Sequence, residues 1–141
     1  MPNVSIASIR TALATKIGEV TQIKQALVGR TEAFTKFPGS RSYLMGVTDE
    51  IADTNNQYRT YKFAIEIVHL QAVQGVTKEN SEAAFQDAVD AVMDKLNTQW
   101  DLAGLEHSAI ESGIVQLVES SQGPALVMTL IWQARTLISL T

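Results

Sequence analysis

The chain has no cysteine, which excludes a disulfide framework, thiolate metal ligation and a thiol nucleophile together. Histidine occurs only as His69 and His107, without HExxH-type spacing, so any metal site would have to be assembled from scattered carboxylates. Gly39, Gly46, Gly75 and Gly104 stand alone, which leaves no glycine-rich phosphate loop, and no serine occupies a GxSxG elbow. Lys and Arg are outnumbered, 11 against 15 Asp and Glu, a balance that still leaves a local basic patch open. A net charge of -4 and a pI near 5.1 argue against a sequence-independent nucleic-acid binder, which must neutralise phosphates. No run of about 18 apolar residues occurs, and Met1 to Ile6 sets no basic region before an apolar one. The expectation is a soluble protein without a signal peptide.

The 141 residues suit one domain, 1–141, large enough to bury a core without disulfides or metal. Apolar residues make up 45% and charged residues 18%; the slightly low charge suggests that some surface meets another subunit. Tyr58 to Leu70, YRTYKFAIEIVHL, organises the rest. Tyr61, Phe63, Ile65 and Ile67 alternate with Thr60, Lys62, Ala64 and Glu66, the pattern of a strand with one face on a core. Tyr43, Met45, Val47 and Ile51 alternate likewise, and the polar stretch Ala52 to Gln57 makes the pair a β-hairpin. Matching the apolar faces predicts Val47 opposite Phe63 and Met45 opposite Ile65, since a slip of one residue would turn the core side chains outward.

Upstream, Ile6, Ile9, Leu13, Ile17, Val20, Ile23 and Leu27 recur in steps of three and four, predicting a helix over Ser5 to Val28. Ser5 is its expected cap and Gly29 its expected end. Arg30 to Ser42, with Phe34 and Phe37 around Pro38-Gly39, reads as a connection that tucks an aromatic under the helix. A second helix is predicted over Glu79 to Leu96, capped by Thr77, with Phe85, Ala88, Val89, Val92, Leu96 and Trp100 as its stripe and Gly104 ending the region. A second hairpin follows: Ile110 to Glu119, a turn at Ser120 to Gly123, and a last strand from Pro124.

That last strand is apolar on both sides, with Leu126, Met128, Leu130 and Trp132 facing one way and Val127 and Ile131 the other. It is either central with helices on both faces or seated against a neighbouring subunit. A helical reading of Ala125 to Leu140 competes, but the Gly-Pro start and β-branched residues favour a strand, with a bend or break expected near Ala134. The expected fold class is α+β: N-terminal helix, β-hairpin, helix, β-hairpin, with a mostly antiparallel sheet flanked by helices.

His69 reads as a partly buried structural residue and His107 as a loop residue. Asp49, Glu50 and Asp53 cluster in a solvated hairpin tip rather than an enclosed acid/base site, and Asp87, Asp90 and Asp94 form the wet face of the second helix. Trp100 and Trp132 read as core anchors, either of which can also anchor a subunit contact. The residues therefore offer no catalytic constellation and no cofactor or metal site, and the protein reads as a non-enzyme. A small α+β enzyme or ligand-binding domain is the rival from another class, which fold alone does not separate.

The N-terminal stripe, SRSYLMGVTDEIADTNNQYRTYKFAIEIVHLQ, EAAFQDAVDAVMDKL and GIVQLVESSQGPALVMTLIWQA together resemble the tail terminator, or tail completion, proteins of long-tailed bacteriophages. The resemblance implies a hexameric ring that caps the tail tube, stops its polymerisation and joins the tail to the head connector. Implied partners are other copies of the chain, the tail tube protein and a head-completion or connector protein, with DNA only passing through the lumen and no membrane. The implied place is the head-proximal end of the virion tail, after assembly in the host cytoplasm. Other neck and connector proteins are the neighbouring alternative. A closed ring needs a heterologous contact. The expected contact residues are Val127, Ile131 and Trp132 on the two-sided strand, and Asp49, Glu50, Asp53, Asn55 and Asn56 on a polar loop free to reach a neighbour, the tube end or the lumen.

Overall fold

The computed structural model describes residues 5–29, 33–71, 77–98, 100, 105–120 and 122–140. The expected connection start at Arg30 and helix-region end at Gly104 lie outside them. The order is α1 (Ile6–Gly18), β1 (Gln25–Val28), β2 (Gly39–Ile51), β3 (Asn56–Leu70), α2 (Lys78–Leu96), β4 (Leu105–Ser120) and β5 (Gly123–Ser139). The five strands form one mixed sheet in the order β1-β2-β3-β5-β4, and only β1 with β2 is parallel.

Ser5 caps α1 as expected: its hydroxyl accepts from the Ser8 N–H while the Ser8 hydroxyl accepts from the Ser5 N–H, each at 3.1 Å. The helix ends at Gly18, ten residues short of the expected Val28. Val20 and Ile23 are still buried, but in tight turns, with Val20 N–H donating to Ile17 and Ile23 N–H to Val20. Val20, Thr21 and Ile23 are β-branched and follow a glycine, so helix propagation is weak there. Steps of three suit such turns as well as a helix, and the sheet supplies better partners for Gln25–Val28. Gly29, at φ 88°, ends β1 rather than a helix.

In the β2–β3 hairpin the register differs from expectation. Leu44, not Val47, faces Phe63, and Ser42 faces Ile65, while Val47 faces Tyr61. A bulge between Leu44 and Gly46 absorbs Met45, so the alternation of β2 changes side there. Below the bulge Ser40, Ser42 and Leu44 face the core and Tyr43 lies on the other face, where its hydroxyl donates to Glu66 at 2.7 Å. Alternation counted through a bulge assigns the wrong half.

Thr77 caps α2 through its side chain and the Asn80 N–H. Phe85, Ala88, Val89, Val92 and Leu96 are buried as expected, and Lys95 bonds Glu19 at 2.9 Å, tying α2 to the end of α1. Asp87, Asp90 and Asp94 are exposed. The β4–β5 hairpin forms at the expected place, but β5 runs unbroken past Ala134, which is paired with both Tyr61 and Ser108. Pairing on both sides removes the reason for a break. His107 lies in β4 rather than a loop.

Both helices pack on one face of the sheet. Ile9, Leu13 and Ile17 of α1 and the α2 stripe join Tyr61, Phe63, Ile65, Ile67, Leu130, Trp132 and Ala134 in a single core. Trp132 is fully buried, its ring 6.1 Å from Phe63 and 4.9 Å from Trp100, and Lys16 lies over Trp100. The opposite face is knitted by polar contacts: Arg41 with Glu66, Lys62 with Glu111, and Arg135 over the Tyr58 ring. Phe34, expected beneath the helix, is under Arg41 instead, and a Cβ on Gly39 would meet its ring.

Phe63→Ala is expected to lose about 3–5 kcal/mol and Lys62→Ala under about 1 kcal/mol, measured by denaturant unfolding. Similar losses would reverse the assignment of faces. His69 is 8% exposed, and burial lowers its pKa from 6.5. The unfolded state then binds the extra proton, so stability falls as pH drops below about 6.5 until the folded value is passed. Melting scans from about pH 8 to about pH 5 should show this decline shrinking in His69→Gln.

Candidate assembly surface

β4 is the outer strand beyond β5. From Glu111 to Ser120 every residue is exposed. Ile114 and Val118 stand opposite Thr129 and Ala125 on the open face, while Val115 and Leu117 stand opposite Met128 and Leu126 on the helix side. Their exposures are 63%, 41%, 55% and 59% respectively. An edge strand that is apolar on both faces cannot hide its side chains by rotating, and its outer backbone groups offer a template for another strand. At Gly113 a Cβ would come within 2.7 Å of Met128 and 2.9 Å of Leu130, so side chains of β5 extend over the β4 backbone there.

The other long edge is on β2. β1 covers it at Gly39–Ser42, and among the described residues no strand lies beside Gly46–Ile51. Met45, Val47 and Ile51 are exposed there, Ile51 at 88%. Seven of the eleven large apolar residues exposed among the described residues therefore lie on these two edges.

The residues singled out in the sequence do not converge. Asp49 and Glu50 belong to β2, and Asn56 begins β3, so the tip is Ala52 to Asn55 rather than a loop from Asp49 to Gln57. Asp49 and Glu50, adjacent on a strand, point to opposite faces. Arg59 hydrogen-bonds Asp49 at 2.7 and 3.1 Å and holds its carboxyl below the usual range. Asp53 accepts from the Asn55 N–H at 2.8 Å and from the Asn56 amide, which lower its pKa likewise. The Leu140 N–H donates to Asn55, fastening the chain's end to this tip. Val127 and Ile131 are half-buried on the open face, opposite Val68 and Ala64. Trp132 is wholly inside the core and has no surface to present to a neighbour in this fold. The IVQLV run of β4 carried the missed signal: four apolar residues in five are too many for a strand with one wet face.

Among the described residues no three of His, Cys, Asp or Glu gather in a group able to hold a metal ion. No described helix is long and apolar enough to cross a membrane.

No protein-family model matches the sequence, and no curated protein matches it. The fold does have a solved counterpart. A chain in the virion of a native gene transfer agent (GTA) particle is similar with a TM-score of 0.52 at 14% identity, over 89% of this chain and 84% of that one. At that identity the likeness is one of fold.

Replacing Ile114 and Val118 by Ser should leave stability within about 0.5 kcal/mol per site, because neither is buried within the chain. A loss of about 2 kcal/mol or more, the cost of emptying a core position, would show that β4 is covered in the free protein.

Proposed function

We propose that this chain is a structural protein of a phage-type virion, a ring-forming subunit at the head-proximal end of the tail that caps the tube, stops its polymerisation and joins it to the head connector. The observation that carries the reading is the fold shared with a chain of a GTA virion over nearly the whole length of both. The exposed apolar edges of β4 and β2 support it, since surfaces of this kind mark contacts with other chains. Six copies, the number the tail-terminator resemblance implies, would close the ring, with the tube protein on one side and a connector or head-completion protein on the other. The protein acts by assembly and carries out no catalysis; DNA passes through the lumen without being held.

Electron microscopy of the purified protein mixed with tail tubes tests this. Rings at tube ends are expected, and six copies of the 15.4 kDa chain, about 92 kDa, when the ring is released. A protein that stays monomeric with tubes present and leaves their ends growing would refute the reading.

A further inference from the structure

We infer that the ring, whose existence rests on the function proposed above, closes by continuing the sheet from one copy to the next: Glu111–Gln116 of β4 adds antiparallel to Gly46–Ile51 of the neighbour's β2. The chain's own topology supplies the polarity. β2, β3, β5 and β4 are successively antiparallel, so β4 runs opposite to β2. A neighbour brought round by rotation, without being turned over, keeps its β2 in the original direction and meets β4 antiparallel. The contact is heterologous, as a closed cyclic ring requires.

Face and charge select one register. Val47 and Val115 lie on the helix side, opposite Tyr61 and Met128, while Thr48 and Ile114 lie on the open side, opposite Thr60 and Thr129. Keeping the faces continuous allows shifts only in steps of two. With Val115 opposite Val47, Ile114 faces Thr48, Gly113 faces Asp49 and Ser112 faces Glu50; no acid meets an acid, and one acid alone meets a large apolar side chain, Glu111 opposite Ile51 at the end of the pairing. A step one way puts Asp49 and Glu50 against Val115 and Ile114. A step the other way sets Asp49 against Glu111. β1 occupies Gly39–Ser42, so the incoming strand is confined to the upper part of the β2 edge.

The same register suits closure. Within the chain, Val47 lies level with Ser108, through Tyr61 and Ala134. Meeting Val115 instead shifts each copy along the strands by about 20 Å while four strand spacings carry it about 19 Å across. Those lengths correspond to strands inclined by about 45°, at the upper end of the range for closed barrels.

Because the native chain has no cysteine, introduced thiols report this contact without background. Thr48→Cys protein mixed with Ile114→Cys protein and assembled, alone or on tail tubes, should form oxidised dimers that neither variant forms by itself. The double variant should give ladders ending in a closed ring, and Val115→Lys, with unchanged melting, should abolish closure. Rings that form without the Thr48→Cys to Ile114→Cys crosslink, or that Val115→Lys leaves intact, overturn the pairing and leave the ring reading standing. Crosslinking of Ile114→Cys with Val118→Cys protein would instead mean that β4 pairs with β4 across a two-fold, which also overturns it. Absence of any assembly sinks both.

Discussion

The packing of both helices on one face of the sheet, around Trp132, is the constraint on which the rest of the structure depends. Trp132 packs against Phe63 of the sheet and against Trp100, which follows α2, and Lys16 of α1 lies over the Trp100 ring. A helix of 19 residues is about 28 Å long, whereas the 17-residue β5 is about 55 Å. Two helices of this size cannot cover strands twice as long, so part of the sheet stays open. The open face answers with paired charges and a tyrosine hydroxyl bond, which keep it compatible with water.

The edges do not answer in that way. Free edge strands in soluble proteins are usually short, charged or bent away, yet β4 carries Ile114, Val115, Leu117 and Val118 along a fully exposed stretch. Its one acidic neighbour on the open face, Glu111, is already held by Lys62 at 3.1 Å. Such an edge is a liability in a monomer and an asset in an assembly, where strand addition satisfies the backbone and buries the side chains together. The bulge at Met45 has a matching consequence on β2: it turns Val47 to the helix side beyond the end of β1 and leaves a short edge of mixed polarity.

How far the sequence could be read varied with the physics of each segment. Ser5, Thr77 and the stripe from Phe85 to Leu96 were legible because capping and helical periodicity are local. β3 was legible because its alternation is unbroken from Tyr61 to Ile67. The register of β2 was hidden by one bulged residue. Val20 to Leu27 misled because a buried turn and a parallel edge strand can place apolar residues at helical spacing. Of the proposed contact residues, Val127 and Ile131 do lie on the open face, whereas Trp132 does not, because an apolar strand side cannot by itself announce whether helices of the same chain cover it.

By itself the sequence determined the α+β class, the helix caps, the two hairpins and the lack of cysteine-based chemistry, since each follows from residue types and short-range spacing. Only the tertiary structure decided which sheet face the helices take, that β5 is an interior strand and β4 an edge strand, and that strands reach into the Asp49 to Gln57 stretch from both sides. Those outcomes depend on competition for a limited helical cover and on strand order, which are properties of the whole chain. The exposed run from Ile114 to Val118 shows the difference: its apolar character is written locally, but its place at the edge is not.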